Sequence, residues 1–153
     1  MATKYYYEDL AAIPVDEIGR MTITREEIVR FATEYDPQPF HSDEEAATKT
    51  VFGGLIASGW MTCAKVMRLM CDHYLNEAAS LGSPGVDEVR WLKPVRPGDT
   101  LTAVRKTIDA RKSASKPGVG IIRSRWEVSN QHGEMVMTME GLGMFRCRPT
   151  AAV

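Results

Sequence analysis

The sequence predicts an α+β fold in which one long helix packs against one face of an antiparallel β-sheet. Residues 59–79 keep the helical spacing of apolar side chains throughout, which indicates a long helix. After residue 86 the pattern changes to short strands, and turn sequences rather than helices separate them. A chain with helices first and antiparallel strands afterwards is typical of the α+β class.

The first helix is predicted to follow an irregular N-terminal segment, residues 1–22, that holds one short strand. Residues 24–27, Thr-Arg-Glu-Glu, form a capping box, in which the Thr hydroxyl and the Glu carboxylate each accept a backbone N–H. An apolar stripe at helical spacing comes next, at Ile28, Phe31, Ala32 and Tyr35. The helix must end before Pro37, because proline disfavours α geometry in its predecessor.

A second capping box, residues 42–45, predicts a short helix that runs to about Lys49. Phe52, Gly53 and Gly54 then break it, and the two glycines are interpreted as a flexible connector, since no phosphate-loop Lys follows them. Ser58 is predicted to be the N-cap of the long, largely buried helix, rather than a nucleophile. Residues 81–85 end that helix.

The strands are predicted at residues 86–93, 100–109, 119–130 and 134–146. Residues 94–99 form a bend, residues 110–118 a polar loop and residues 130–133 a hairpin turn. In the third of these strands Ile122, Ser124, Trp126 and Val128 share one face. The methionines of the long helix and the last strand are predicted to be mainly core, and some to line an adaptable pocket.

Length and composition predict a single domain, residues 1–153 with a core at about 5–147. The chain has 153 residues and is 44% hydrophobic and 25% charged, as in ordinary globular proteins. No apolar run reaches the ~20 residues that span a bilayer, and the N-terminus lacks the apolar core of a signal peptide. Three cysteines without metal-ligand spacing predict a reduced, cytoplasmic setting.

The net charge of −1 argues against general electrostatic binding of nucleic acid. The two halves differ, since residues 1–85 have 7 Lys and Arg against 13 Asp and Glu, and residues 86–153 have 12 against 7. The basic half indicates either a phosphorylated ligand or the solvated face of a sheet.

Asp36 and His41 are the main candidates for catalysis. They lie five positions apart in a segment that Pro37 and Pro39 stiffen, so a rigid extended loop is predicted to hold a carboxylate and an imidazole. The alternative is that Asp36 caps a turn and His41 is exposed. His73 and His132 have no partner at metal-ligand spacing, and we expect them to be structural and no metal to bind.

Gly59 is the candidate oxyanion donor. It lies at the first turn of the long helix, where backbone N–H groups are free and the helix dipole favours negative charge. Such a position suits the enolate oxygen of a thioester. The alternative is that Gly59 only allows close packing.

Nearly the whole chain, about residues 5–147, resembles the MaoC-like acyl dehydratases, the (R)-specific enoyl-CoA hydratase group of the hot-dog superfamily. Residues 36–41 resemble the family's Asp-x-Asn-Pro-x-His motif. Residues 52–60 resemble the loop that enters the central hot-dog helix, and residues 91–101 resemble its Pro-Val-x-x-Gly-Asp strand-turn-strand. Gln38 departs from the family's usual Asn, and Ser58 stands where many hydratases have His.

The resemblance implies a hot-dog fold, in which the sheet wraps a long central helix, and a homodimer or higher homo-oligomer without cofactor. It implies that Asp36 and His41 are the catalytic pair and that the Gly59 N–H holds the oxyanion. The substrate would be an acyl-CoA or acyl-carrier-protein thioester, with phosphate contacts expected from Arg90, Lys93, Arg96, Arg123 and Arg125. Substrate contacts are expected from Gln38, Phe40, Phe52, Gly53, Gly54, Ser58 and Trp60.

Three functions follow as hypotheses. The first is reversible addition of water to a 2-enoyl-CoA, which gives an (R)-3-hydroxyacyl-CoA, with Asp36 as base and His41 as donor or water-orienting group. The second is a hot-dog thioesterase, which would direct water at the carbonyl carbon. The third is a non-catalytic acyl-CoA binding module. Neither nucleic acid nor a membrane is an expected partner.

Overall fold

The fold is a five-stranded antiparallel sheet with a long helix on one face, as a computed structural model shows for residues 2–151. The outer limits of the predicted domain, residues 1 and 153, lie outside this range. The helices are α1 Tyr7–Ala11, α2 Arg25–Tyr35, α3 Pro39–Ser42, α4 Glu44–Thr48 and α5 Gly59–His73, followed by a 3-10 turn at Leu75–Glu77. The strands are β1 Val15–Thr22, β2 Val86–Trp91, β3 Thr100–Lys112, β4 Val119–Ser129 and β5 Met135–Arg146.

The strands lie in the order β1-β3-β4-β5-β2, and all neighbours are antiparallel. The predicted face of β4 is confirmed, because Ile122, Ser124, Trp126 and Val128 are all buried. They face α5, whose buried side chains include Met61, Val66 and Met70. The core therefore lies between this helix and one side of the sheet, and the sheet's other side bears the alternate residues.

The capping box of α2 is confirmed. The Thr24 hydroxyl accepts the N–H of Glu27 at 3.2 Å, and the Glu27 carboxylate accepts the N–H of Thr24 at 3.1 Å. For α4 the prediction was wrong by one position, because Asp43, not Ser42, is the N-cap and accepts the N–H of Ala46 at 3.0 Å. The Ser42 hydroxyl instead donates to the Gln38 carbonyl at 3.0 Å.

The long helix begins as predicted, with Ser58 at its N-cap position, but it ends earlier than predicted. The helix ends at His73 rather than at residue 79, because the backbone N–H groups of Lys4 and Tyr5 hydrogen-bond to the carbonyl of Glu77 and pull that segment to the N-terminus. The Ser58 side chain makes no capping hydrogen bond. Such tertiary contacts leave no trace in the apolar spacing that predicted the helix.

The helix is also less buried than predicted. Trp60 is 60% exposed and Met67 is 47% exposed on the single chain, so part of its apolar face meets solvent. No described helix has both the length and the apolar character that crossing a bilayer requires.

The N-terminal segment and β3 also differ from expectation. The segment predicted to be irregular contains α1, whose Tyr7 packs so closely on Gly120 that an added Cβ there would lie 2.0 Å from the ring. Strand β3 extends to Lys112, since residues 110–112 pair with residues 120–122, so the polar loop is shorter than predicted.

Candidate active site

Asp36 and His41 meet at the junction between α2 and α3. Asp36 is the C-cap residue of α2, and His41 lies in α3, a single helical turn rather than the predicted extended loop. Pro39 occupies the first turn of α3, where its missing N–H and fixed φ favour a helix. This turn brings His41 Nε2 to 3.3 Å from Asp36 Oδ2. The prediction that these two side chains lie together is therefore confirmed, although the local backbone differs.

His41 is buried and its ring orientation is fixed. Its Nδ1 lies 2.7 Å from the carbonyl oxygen of Ile56. A carbonyl only accepts hydrogen bonds, so Nδ1 bears the hydrogen and Nε2 is the atom that faces Asp36. The imidazole therefore presents its other nitrogen to the carboxylate.

Asp36 receives hydrogen bonds on both carboxylate oxygens. Gln38 Nε2 donates to Oδ1 at 2.7 Å, and the Ser58 hydroxyl donates to Oδ2 at 2.7 Å. Burial acts to raise the pKa of Asp36, but the hydrogen bonds from Gln38 and Ser58 and the proximity of His41 outweigh it, so the pKa lies below its ordinary value. Asp36 is therefore a carboxylate at neutral pH.

Ser58 holds the predicted N-cap position of α5, but its hydroxyl donates to Asp36 instead of capping the helix. It is fully buried, precedes Gly59 and links the start of α5 to Asp36, 22 positions earlier in the sequence. The two departures from the family motif, Gln38 and Ser58, are thus the two residues that hold the carboxylate.

A cavity of about 420 Å³ adjoins this pair, and both His41 and Gly59 line it. Its other walls are largely apolar and come from α3, the loop before α5, the first turn of α5, the end of β2 with the loop that follows it, and the start of β5. They include Phe40, Phe52, Ile56, Thr62, Trp91, Val95 and Met137. Gly59 is the first residue of α5, so its N–H belongs to the helix turn whose donors have no partner inside the helix. An acceptor oxygen in the cavity can therefore reach this helix terminus.

Close packing at Gly59 is also present. A Cβ at this position would lie 2.2 Å from Cε2 of Trp91, whose indole covers the glycine. The close-packing interpretation of Gly59 is therefore confirmed, because a side chain here would displace the wall of the cavity. The role of Gly59 as an oxyanion donor stays a prediction.

The other predicted contact residues are distributed unevenly. Phe40 and Phe52 line the cavity, with ring centroids 5.3 Å apart. Gly53 and Gly54 form the turn beside them, where Arg96 Nη2 donates to the Phe52 carbonyl at 2.6 Å. Trp60 lies outside this cavity and packs edge to face on Trp91, with centroids 5.2 Å apart. Substrate contact by these residues stays a prediction.

The five basic residues do not form one cluster. Arg123 and Arg125 lie on the face of β4 opposite α5, where they pair with Asp87 and Glu140. Arg90 pairs with its neighbour Glu88. Lys93 lines the cavity and pairs with Glu134, and Arg96 lies at the turn beside the cavity. Arg123 and Arg125 lie on the face of the sheet away from the cavity, so their proposed phosphate role has no geometric support. The alternation of residues along β4 could have predicted this position from the sequence.

Sequence reasoning missed Trp91 as a wall of the site and His73 as a partner of β1. His73 Nε2 lies 2.9 Å from Asp16 Oδ2. Within residues 2–151, no three His, Cys, Asp or Glu side chains converge as metal ligands would. The absence of a bound metal stays a prediction.

Comparison with known proteins gives concordant results. Residues 11–125 match the family model described as MaoC like domain. The 3-hydroxyacyl-thioester dehydratase Z of Mycobacterium tuberculosis is 35% identical over 105 residues, which cover 65% of this chain and 70% of that protein. The mesaconyl-CoA hydratase of Cereibacter sphaeroides is 43% identical over 81 residues, which are 53% of this chain but only 22% of that protein.

Solved structures agree on the fold. The MaoC-like dehydratase from Rhodospirillum rubrum has 38% identity and a TM-score of 0.86, with 96% of this chain and all of that one covered. A conserved hypothetical protein from Mycobacterium tuberculosis with a double hot-dog fold has 17% identity and a TM-score of 0.77, over 97% of this chain and 46% of that one. The predicted hot-dog fold is thereby confirmed.

Proposed function

Because the chain belongs to the MaoC-like domain family, whose matched relatives include hydratases and dehydratases, we propose that it adds water reversibly to a 2-enoyl thioester. The product is the (R)-3-hydroxyacyl thioester. The observation that supports this most is the pair of His41 Nε2 and Asp36 Oδ2, 3.3 Å apart, beside a cavity that His41 shares with the first turn of α5.

In the proposed mechanism the thioester carbonyl oxygen accepts the Gly59 N–H. The N-terminus of α5 then stabilises the negative charge that develops on this oxygen when water attacks Cβ. The water is bound where it contacts both Asp36 Oδ2 and His41 Nε2. Its oxygen bonds to Cβ, one of its protons enters the Asp36–His41 pair, and a proton returns from the pair to Cα.

His41 lines the cavity, and its Nε2 contacts Asp36 Oδ2. We therefore treat the pair as one acid–base unit, because two groups in such close contact titrate together. The lowered pKa of Asp36 keeps the carboxylate ionised, which supports its assignment as the base. The hydrogen bond from Nδ1 to Ile56 keeps His41 Nε2 pointing at the reacting water.

The substrate is proposed to be a CoA or acyl-carrier-protein thioester. Lys93 and Arg96 are the basic residues beside the cavity, and both are exposed, so we assign the phosphate end of the carrier to their side. Lys93→Gln and Arg96→Gln should each raise KM for crotonyl-CoA without lowering kcat. Arg123→Gln, on the opposite face of the sheet, is the matched control, and an equal rise in KM there would contradict the assignment.

A second copy of the chain is proposed to cover the exposed side of α5. Trp60 and Met67 on α5 and Val86 and Trp91 on the edge strand β2 are all about half exposed or more on the single chain. Exposed apolar side chains next to an unpaired strand edge are the usual setting for association. Light scattering after size-exclusion chromatography should give twice the mass of the chain or a higher multiple, and a monomer would contradict this.

The test of the activity is hydration of crotonyl-CoA and longer enoyl-CoAs, followed as loss of enoyl absorbance. Removing a positioned acid–base group costs roughly 10²–10⁴ in rate, so we expect Asp36→Asn and His41→Ala to lose turnover to that extent. Asp72→Asn and His132→Ala, both at exposed sites, are the matched controls. Full turnover by Asp36→Asn would refute the mechanism, and thiol release without hydration would indicate a thioesterase instead.

A further inference from the structure

Thr62 is a polar residue in the wall of the active-site cavity that the proposed mechanism does not yet use. It is the fourth residue of α5 and lines the cavity together with His41 and Gly59. Only 2% of it is exposed. A buried hydroxyl is unfavourable unless it forms a hydrogen bond, so the partner of this one needs to be identified.

The chain itself supplies no partner for the Thr62 hydroxyl. The hydroxyls of Thr33 and Thr48 donate to carbonyls of their own helices, at 2.7 and 2.6 Å. The corresponding acceptor for Thr62 is the Ser58 carbonyl, which already accepts the N–H groups of Met61 at 3.0 Å and of Thr62 itself at 3.2 Å. A carbonyl oxygen has two lone pairs, so this acceptor is occupied. The side-chain hydrogen bonds within residues 2–151 do not include the Thr62 hydroxyl.

The Thr62 oxygen faces the active-site cavity. In the described part of the chain, the fully enclosed polar side-chain atoms without a partner belong to Arg105 and Trp126. The Thr62 oxygen has no partner and is not one of these atoms, so it retains some surface, and the space beside this residue is the cavity. Helical side chains lean towards the N-terminus, and residues three apart share a face. The hydroxyl of Thr62 is therefore directed to the same end of the cavity as the N–H of Gly59.

The first turn of α5 lacks the hydroxyl cap that an N-cap serine ordinarily supplies. Such a serine accepts one of the first N–H groups of the helix. Here the Ser58 hydroxyl donates to Asp36 and makes no capping hydrogen bond. The Gly59 N–H and the Thr62 hydroxyl are thus two donors on one face of the helix, beside a largely apolar wall. Together they indicate an acceptor oxygen that belongs to a ligand.

We propose that Thr62 is a second oxyanion donor, whose hydroxyl donates to the thioester carbonyl oxygen while the other lone pair of that oxygen accepts the Gly59 N–H. This inference rests on the proposed function, because the substrate carbonyl must lie at this helix terminus. Negative charge develops on the oxygen when water adds to Cβ, so both hydrogen bonds strengthen in the transition state. Thr62 keeps its proton throughout, and the proton that reaches Cα still comes from the Asp36–His41 pair.

The first test is Thr62→Val, which removes the hydroxyl and keeps the shape of the side chain. We expect kcat for crotonyl-CoA to fall by a factor on the order of 10²–10³, the usual loss for one oxyanion donor. KM should change little, because the bond acts mainly on the transition state. Thr33→Val is the matched control, since its hydroxyl is exposed and bonds its own helix, and it should keep the wild-type kcat. Wild-type kcat in a folded Thr62→Val protein would overturn the proposal.

A structural role for Thr62 is separated by urea unfolding and by Thr62→Ser. Because the hydroxyl has no internal partner, Thr62→Val should unfold at the wild-type urea midpoint or above it. Thr62→Ser keeps the hydroxyl and loses only a methyl group, so it should keep most of kcat. A lower midpoint in Thr62→Val, with an equal loss of kcat in Thr62→Ser, would show a packing role and overturn the proposal.

A measurement without turnover uses saturated butyryl-CoA isotopically labelled at its carbonyl carbon. Hydrogen bonds to a carbonyl oxygen lower its stretching frequency, so infrared difference spectra of the bound ligand report the donors directly. The lowering should be smaller in Thr62→Val than in wild type and should return in Thr62→Ser. This result, without hydration of any enoyl-CoA by the wild type, would overturn the proposed function alone. Hydration by the wild type, with the same carbonyl frequency in Thr62→Val, would overturn this inference alone.

Discussion

Replacement of Ser58 by Ala tests how the site keeps Asp36 ionised. The Ser58 hydroxyl is fully buried and donates to Asp36 Oδ2 at 2.7 Å. Ala removes one oxygen and leaves the backbone and the Gln38 hydrogen bond in place. The change therefore withdraws one donor from a carboxylate whose pKa is held below its ordinary value.

The magnitude follows from the chemistry of that hydrogen bond. A hydrogen bond to a charged group contributes about 1.5–3 kcal/mol, and about 1.4 kcal/mol corresponds to one pKa unit. The Asp36 side chain is 17% exposed, so water replaces part of the lost contact. We expect the pKa of Asp36 to rise and the free energy of unfolding at neutral pH to fall by about 1–2 kcal/mol.

The pH dependence has a definite sign. A lowered carboxylate pKa stabilises the folded state above the ordinary pKa of aspartate, and this stabilisation disappears as the pH falls through the lowered value. The destabilisation of Ser58→Ala should therefore be full at neutral pH and should shrink at acidic pH. The acid limb of kcat/KM for an enoyl-CoA should move to higher pH, because the base then takes up its proton at a higher pH.

The assay is the pH profile of kcat/KM together with urea unfolding at neutral and acidic pH. Ser42→Ala is the matched control, because its hydroxyl donates to a backbone carbonyl and not to the carboxylate. The acid limb of this control should not move. A folded Ser58→Ala protein with an unshifted acid limb would refute the role of the hydroxyl in setting the ionisation of Asp36.

The remaining predictions concern Gln38, which is the other hydrogen-bond donor to Asp36, and the N-terminal ends of two helices, at Gly59 and Thr24. Gln38→Ala should shift the acid limb less than Ser58→Ala, because Gln38 is exposed and water can take its place; an equal or larger shift in the pH profile would contradict this. Gly59→Ala should lower the free energy of unfolding by about 1–3 kcal/mol through overpacking. In a double-mutant cycle, Trp91→Ala should relieve part of this loss, because the added Cβ clashes with that indole. Thr24→Ala should lower the free energy of unfolding in urea by about 0.5–2 kcal/mol through loss of the N-cap, and an unchanged midpoint would show that the capping box of α2 contributes nothing.

Local chemistry made part of the structure predictable from sequence. The capping box at residues 24–27 and the proline at 37 fix the ends of α2, because every group involved lies within a few positions. The alternation of apolar and polar residues along β4 predicted its buried face, because this pattern too is local in the sequence. Asp36 and His41 were recognised as partners because the short spacing and the prolines leave the chain few ways to separate them.

The rest depends on contacts between distant residues. The bond from Ser58 to Asp36 crosses 22 positions, so a capping role was the natural interpretation of a serine before a helix. The early end of α5 reflects hydrogen bonds from residues 4 and 5 to Glu77. For Arg105 a signal was present, since alternation with the buried Leu101 and Ala103 places it on the core face of β3.

The tryptophans can report ligand binding through their intrinsic fluorescence and circular dichroism. The chain has 3 of them, and Trp91 borders the active-site cavity while Trp60 and Trp126 border a second cavity between α5 and the sheet. Because Trp60 and Trp91 touch edge to face, a ligand that pushes them apart changes their excitonic coupling and hence the near-ultraviolet circular dichroism. Intrinsic fluorescence and dichroism can therefore report which space a ligand has entered, without any label.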